Sequence, residues 1–210
     1  MIIIMCGGKY HDFKEHKALS IIHGERLIER ITRLLKEWGY DYYISSNDKE
    51  FEKYGKVLHH DNSFEVKDGV VTGYWIDAYY PTTKPCIYLH GDVYYTEEAL
   101  KKILELNPTK NTFIGNAIAK NPEHLNWGEP FGWIVVNQEE FRKGIEKTKQ
   151  LQDEGKLDRG YAISWELYRV LNGLDPNKMY IIDDTYLVID DNTIDIDTPE
   201  QIDLVNKGLR

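Results

Sequence analysis

Short apolar segments alternate with amphipathic helical segments through the first half of this chain. The apolar segments are residues 2–6, 42–46, 56–59 and 86–89. Segments this short and this apolar are typical of strands that are covered on both faces. Helical spacing of apolar residues follows at residues 25–38, 70–80 and 96–106. This alternation predicts βαβ units, and therefore an α/β fold with a mostly parallel sheet between layers of helices.

The pattern is looser in the second half. Further strands are expected at residues 112–119 and 132–136, with a polar loop at 120–131 between them, and a late hairpin is expected at 180–182 and 186–189. Helices are expected at residues 138–154 and 161–172, and a last helix begins at Pro199 with Thr198 as its N-cap. No linker or composition shift divides the chain, so residues 1–210 are expected to form a single domain.

Composition and charge exclude several functional classes. The chain has 26 Lys and Arg residues against 35 Asp and Glu residues, a net charge of −9. A general nucleic-acid binder would carry a basic face, so no nucleic-acid partner is expected. Cys6 and Cys86 lie in apolar segments and are expected to be buried free thiols, which excludes a disulfide framework. The chain has neither the pattern of a signal peptide nor an apolar stretch long enough to span a bilayer, so we expect a cytoplasmic protein with no membrane partner.

Gly7 and Gly8 end the first apolar segment and begin a loop that contains lysines. Consecutive backbone N–H groups in such a turn can bind a phosphate, and Lys9, Lys14 and Lys17 would add positive charge. A Gly-Gly pair after a strand is more often a simple turn. The sequence is neither a Walker P-loop nor a dinucleotide-binding fingerprint.

Carboxylates form the other candidate sites. Asp92 follows Gly91 at the carboxyl end of the strand at 86–89, where ligands of open α/β sheets bind, and could hold Mg²⁺ or cap a turn. Asp195 and Asp197 alternate with isoleucines and are expected to share one face of a strand end. Such a pair either binds a metal or is solvated.

Taken in order, these segments resemble the nucleotidylyltransferase superfamily, which includes sugar-phosphate nucleotidylyltransferases and small cytidylyltransferases. The resemblance runs from Met1 to about Val205. Its motifs are the Gly7-Gly8 loop reaching Lys17-Ala18-Leu19, His23-Gly24-Glu25-Arg26-Leu27-Ile28-Glu29, Leu89-His90-Gly91-Asp92-Val93 and Asp195-Ile196-Asp197-Thr198-Pro199-Glu200. The resemblance implies a Rossmann-like nucleotidyltransferase fold, also called GT-A-like. The first loop departs from the usual Gly-x-Gly-x-Arg, because it contains no arginine.

The resemblance also implies a reaction. A phosphate oxygen of a small phosphorylated acceptor attacks the α-phosphorus of a nucleoside triphosphate, and pyrophosphate leaves, with Mg²⁺ as cofactor. Lys17 and Asp92 are the expected catalytic residues, and Asp92 and Asp197 the expected metal ligands, with Asp195 as the alternative second ligand. The expected nucleotide-binding residues are Cys6, Gly7, Gly8, Lys9, Lys14, Lys17, Ser46, Asn47, Gly73 and Gly91. The short, arginine-poor loop favours CTP as the donor.

The acceptor is expected to bind over the second half of the chain, near Glu129, Trp133, Tyr161 and Trp165. Residues 1–106 would then form the nucleotide-binding half, and residues 107–210 the acceptor-binding half with the C-terminal helix. Two other functions stay open at this point: a glycosyltransferase of the same general fold, and a nucleotide-binding regulator without catalysis. The oligomeric state also stays open, with a homodimer as one possibility.

Overall fold

The computed structural model of this protein describes residues 1–7, 13, 15–59, 64–116, 128–178 and 183–208. Its helices are α1 Leu27–Glu37, α2 Glu97–Glu105, α3 Gln138–Asp153, α4 Ser164–Leu171 and α5 Pro199–Asn206. Its strands are β1 Ile2–Met5, β2 Ile21–Ile22, β3 Glu25–Arg26, β4 Tyr42–Ser45, β5 Val57–Leu58, β6 Glu65–Lys67, β7 Val70–Thr72, β8 Cys86–His90, β9 Val93–Tyr94, β10 Thr112–Asn116, β11 Pro130–Val135, β12 Tyr186–Ile189 and β13 Ile194–Asp195.

A 7-stranded sheet with the order β12-β10-β11-β8-β1-β4-β5 forms the centre of the protein. Strand β1 pairs in parallel with both β4 and β8, and β10 pairs in parallel with β12. Strand β11 is antiparallel to both of its neighbours, β8 and β10. The sheet is therefore mostly parallel and mixed, which confirms the predicted fold class.

Helices cover both faces of this sheet because its strands are apolar on both sides. In β1, Ile2 and Ile4 pack into a core with α1 and α2. Ile3 and Met5 point to the other face and pack into a second core with α3 and α4. The period-2 alternation of side chains along a strand accounts for this division. Cys6 and Cys86 are buried free thiols, as predicted.

The ends of two helices confirm the predicted caps. The Thr96 side chain accepts a hydrogen bond from the backbone N–H of Ala99 at the start of α2. The Thr198 side chain accepts one from Gln201, and Pro199 occupies the first turn of α5. None of the described helices is long and apolar enough to cross a membrane.

The helix predicted at residues 70–80 is wrong. This region contains β7, which pairs antiparallel with β6, and then a short 3-10 turn at Trp75–Ala78. Asp68 and Gly69 between the two strands both have positive φ angles. An Asp-Gly pair with this geometry forms a tight hairpin turn, so local turn chemistry overrides the helical spacing that follows it.

Only one strand of the predicted late hairpin lies within the described residues. Strand β12 lies at the predicted position, and its partner in the sheet is β10, in parallel. Residues 180–182, the other strand of the predicted hairpin, lie outside the described residues. The predicted strand at 112–119 appears as β10, and residues 117–119 also lie outside the described part of the chain.

A substitution at Gly132 in β11 would test how closely β11 and β8 approach each other. A Cβ at Gly132 would lie 2.0 Å from the backbone oxygen of Tyr88, and its φ of 151° is one that other residues rarely adopt. We expect Gly132→Ala to lower the free energy of unfolding by about 4 kcal/mol or more, measured by urea denaturation. Gly173→Ala is the control, since that glycine also has a positive φ but nothing lies within 4 Å of its added Cβ. The control should lose only about 1–2 kcal/mol, and equal losses would contradict the close strand approach.

Candidate active site

The candidate site begins where β1 and β8 end side by side. Met5 and His90 are register partners in this parallel pair, and the backbone N–H of Gly91 donates to Met5 O at 2.9 Å. A Cβ at Gly91 would lie 2.5 Å from the Cys6 Sγ atom and 2.7 Å from Met5 O. Only glycine fits there without a shift. The Cys6-Gly7 backbone and Asp92 therefore leave the same edge of the sheet, where ligands bind in open α/β folds.

Strand β13 brings a distant segment of the chain to this edge. It pairs antiparallel with β9, and Asp195 is the register partner of Val93. Just beyond this pair, the backbone N–H of Ile196 donates to Asp92 O at 3.1 Å. These backbone hydrogen bonds place Asp195 and Asp197 beside Asp92.

The side chain of Lys17 lies between two of these carboxylates. Its Nζ atom is 2.9 Å from Asp197 Oδ1 and 3.9 Å from Asp92 Oδ2. The lysine side chain is only 3% exposed, whereas the side chains of Asp92 and Asp197 are 23% and 60% exposed. Lys17 opens a 3-10 turn, Lys17–Leu19, which is anchored because Ala18 and Leu19 are fully buried.

Asp195 lies beneath this group and carries poorly compensated charge. It is buried, and its Oδ1 atom has no hydrogen-bond partner among the described residues. Burial raises the pKa of Asp195 well above its usual value, and the nearby carboxylates of Asp92 and Asp197 raise it further. The Asp195 backbone N–H donates to Glu129 Oε2 at 3.2 Å, which adds the Glu129 carboxylate to the same acidic group.

The expectation that Asp195 and Asp197 share one face is wrong. Strand β13 ends at Asp195, so the strand alternation on which the prediction rested does not extend to Asp197. Asp195 points into the protein and Asp197 points to the surface beside Lys17. The two aspartates are therefore not equivalent as metal ligands.

Asp92 and Asp197 together offer carboxylate oxygens that could hold a Mg²⁺ ion. Mg²⁺ takes oxygen ligands, and it is commonly bound through one or two carboxylates together with phosphates and water. Within the described ranges, no group of three or more His, Cys, Asp and Glu side chains is already arranged to hold a metal.

The other predicted nucleotide-binding residues are distributed around this edge and beyond it. Cys6 and Gly7 lie at the end of β1, where the Cys6 N–H donates to Ser45 O at 2.8 Å. Next to Ser45, Ser46 is buried and Asn47 is exposed. Gly73 follows β7, and its carbonyl accepts a hydrogen bond from the side chain of Gln152 in α3. The remaining residues lie outside the described ranges and are Gly8, Lys9 and Lys14.

Two of the predicted acceptor-binding residues belong to the core instead. Trp133 and Trp165 are each 1% exposed, and both rings pack against Phe113. Their apolar area is used between the sheet and α4, so an acceptor cannot contact them in this arrangement. Tyr161 is half-buried, and its ring contacts Phe64. Of the predicted set, Glu129 alone has a described contact with the aspartate group, through Asp195.

Sequence reasoning missed a buried tyrosine that supports the β8–β9 turn. The Tyr95 hydroxyl accepts a hydrogen bond from the His90 N–H at 3.1 Å and donates to Phe131 O. His90 itself is buried, with its ring against Trp75, and burial lowers its pKa. Tyr95 thus connects the turn that carries Asp92 to β11. Its place three positions after Asp92 is the only signal that the sequence offers for this role.

Solved structures of nucleotidyltransferases share this fold over nearly the whole chain. A nucleoside-diphosphate-sugar pyrophosphorylase from Vibrio cholerae has a TM-score of 0.61 and 12% identity, covering 99% of this chain and 100% of its own. The inositol-1-phosphate CTP transferase from T. maritima has a TM-score of 0.54 and 13% identity, covering 100% and 97%. A 4-diphosphocytidyl-2C-methyl-D-erythritol synthase from Anaerococcus prevotii has a TM-score of 0.54 and 14% identity, covering 99% and 94%.

No family model and no curated protein sequence matches this chain. At identities this low, the structural likeness establishes the fold and does not extend to substrates. The fold is that of the nucleotidyltransferases, so the comparisons confirm the fold that the sequence resemblance implied.

The buried carboxyl group of Asp195, whose Oδ1 atom has no described partner, leads to a stability prediction. Removing a buried, poorly compensated carboxylate relieves both its desolvation and its repulsion from Asp92. We expect Asp195→Asn to raise Tm at pH 7 in metal-free buffer, by about 2–4 °C for each kcal/mol gained. Asp158→Asn, at an exposed aspartate, makes the same change in net charge and should leave Tm nearly unchanged. A lower Tm for Asp195→Asn in circular dichroism melts would show that the carboxylate stabilises the metal-free fold.

Proposed function

We propose that this protein is a nucleotidylyltransferase that moves a nucleoside monophosphate from a nucleoside triphosphate to a small phosphorylated acceptor. One observation carries the proposal: Lys17, Asp92 and Asp197 converge at the carboxyl edge of the sheet, although Lys17 and Asp197 are 180 positions apart in the sequence. A cation and two carboxylates in a polar cluster suit phosphoryl chemistry, which depends mainly on positioning and on neutralising charge.

The bond changes of this reaction are simple. An oxygen of the acceptor phosphate bonds to the α-phosphorus of the triphosphate, and the bond from that phosphorus to the bridging oxygen of the β-phosphate breaks. The leaving group is pyrophosphate. Lys17 would bind phosphate oxygens and stabilise the negative charge that develops on them.

Asp92 and Asp197 would hold the metal ion in this proposal. Bound Mg²⁺ would supply charge neutralisation on the α- and β-phosphate oxygens. Asp92 is fixed by the β8–β9 turn, and Asp197 by its place directly before α5. Asp195 stays the alternative ligand, since its Oδ1 atom has no described partner.

The nucleotide would lie over the ends of β1 and β8. The Cys6-Gly7 backbone and Gly91 would approach the phosphates closely, because they present no bulky side chain toward that edge. Lys9 and Lys14 would add positive charge in place of the arginine that the resembling family uses. We propose CTP as the donor, because the short, arginine-poor first loop resembles that of the small cytidylyltransferases.

The acceptor would bind beside Glu129 and Tyr161, on the part of the chain from residue 107 onward. The Glu129 carboxylate accepts a hydrogen bond from the Asp195 backbone N–H, so Glu129 lies close to the proposed metal ligands. Tyr161 precedes α4 and keeps part of its ring accessible. Trp133 and Trp165 have no part in this proposal, because both are core residues.

Thermal unfolding with nucleotides tests the donor. A ligand at 100 times its Kd stabilises the folded state by about 2.7 kcal/mol, which raises Tm by roughly 5–10 °C in a chain of this size. We expect CTP with Mg²⁺ to raise Tm by that amount, with smaller shifts for UTP, GTP and ATP. Asp92→Asn should remove the Mg²⁺-dependent part of the shift and lower pyrophosphate release by orders of magnitude.

Two results would count against this proposal. If Asp92→Asn shows the same Mg²⁺-dependent rise in Tm as the wild type, Asp92 is not a metal ligand. Turnover of a nucleoside-diphosphate sugar, with no effect of any triphosphate, would favour the glycosyltransferase alternative.

Acceptor binding gives a separate kinetic prediction. The acceptor would first be identified by pyrophosphate release from CTP. Tyr161→Phe and Glu129→Gln should then each raise KM for that acceptor by about tenfold, equivalent to about 1.4 kcal/mol. The Kd for CTP should stay the same, because these residues would contact the acceptor and would not contact the nucleotide. A parallel loss of CTP affinity in isothermal titration would contradict this assignment.

A further inference from the structure

The ammonium group of Lys17 lies between the two proposed metal ligands. Its distances to Asp197 Oδ1 and Asp92 Oδ2 are 2.9 Å and 3.9 Å. The lysine is nearly fully buried, and its backbone is held in the anchored 3-10 turn. Because this charge neutralises carboxylates that would otherwise repel one another, it stabilises their close approach.

The same carboxylate oxygens cannot serve Lys17 and a divalent cation together. Mg²⁺ holds its oxygen ligands at about 2.0–2.1 Å. A second cation a few ångströms away is strongly repelled, because the repulsion between like charges rises as their distance falls. Lys17 must therefore leave this position before both carboxylates can ligate a metal.

We propose that Lys17 is an internal competitor for the divalent cation, and that it keeps the metal site closed until a nucleotide arrives. This inference rests on the proposed metal site at Asp92 and Asp197. A Lys17 side chain displaced by metal alone would be a buried cation without its carboxylate partners. The phosphates of a nucleotide supply the anion that it then needs, so metal binding and nucleotide binding become coupled through one side chain.

This role makes Lys17 more than a phosphate-binding residue. A lysine that only binds phosphates would leave the metal affinity of the nucleotide-free protein unchanged when it is removed. A competitor would increase that affinity when it is removed. The two roles thus predict different results in an experiment without nucleotide and without turnover.

The experiment measures Mn²⁺ binding to the nucleotide-free protein by electron paramagnetic resonance. We expect Lys17→Gln and Lys17→Met to bind Mn²⁺ at least about tenfold more tightly than the wild type, because one repelling charge is removed from the site. Lys143→Met is the matched control, since it also removes one positive charge, from the exposed surface of α3. Its Mn²⁺ affinity should equal that of the wild type.

Circular dichroism melts of the same variants give a second measurement. The rise in Tm with Mg²⁺ alone should be larger for Lys17→Gln than for the wild type, even if the variant starts from a lower Tm. Unchanged or weaker Mn²⁺ binding by both folded Lys17 variants would overturn the inference. Absence of Mn²⁺ binding in the wild type and both variants would overturn it together with the metal site.

The proposed function can fail separately. If Lys17→Gln binds Mn²⁺ more tightly but no nucleoside triphosphate stabilises the wild type, then the competition is real and the nucleotidyltransferase assignment is wrong. If CTP binds with Mg²⁺ but the Lys17 variants gain no Mn²⁺ affinity, the nucleotidyltransferase proposal stands and Lys17 is no competitor.

Discussion

The pairing of β9 with β13 is the constraint on which the candidate site depends. Only a few backbone hydrogen bonds form this pair, and Ile196 extends it by donating to Asp92 O. Because of them, the Asp92 turn and the segment that carries Asp197 lie together, with Lys17 between their carboxylates. Of the two aspartates, the central sheet positions only Asp92. The small sheet of β9 and β13 brings Asp197 beside it. A satellite cluster of Ile22, Leu27 and Ile196 packs at the same place and ties the hairpin after Lys17 to it.

The sequence allowed most of the central sheet to be predicted, because its strands are short, apolar and bounded by glycine or polar residues. It also located the turn at Asp92 and the start of α5, where Thr198 and Pro199 have well-defined local roles. The hairpin at 65–72 was missed, since the turn at Asp68 and Gly69 decides that region more strongly than apolar spacing does. Local signals thus predicted elements well wherever capping or turn chemistry agreed with the apolar pattern.

Burial was the property that the sequence could not provide. Trp133 and Trp165 follow irregular or polar segments, yet both rings lie in the core beneath α4. Asp195 and Asp197 are two positions apart, yet one is buried and the other faces solvent. Each of these outcomes depends on where a strand ends or how a helix packs, which are properties of the tertiary structure. The candidate site was therefore predictable in its motifs and unpredictable in its geometry.

The place of β11 beside β8 in the sheet has a consequence for how this chain is made. Strands β1, β4, β5 and β8 all come from the first 90 residues and can assemble as a parallel block while the ribosome is still adding the rest. In the finished sheet the outer edge of β8 is covered by β11, so on a nascent chain that edge stays open until residue 135 has emerged. An open apolar strand edge invites pairing with other chains. Synthesis thus passes through an interval in which these four strands can form while the edge of β8 is open to pairing with another chain.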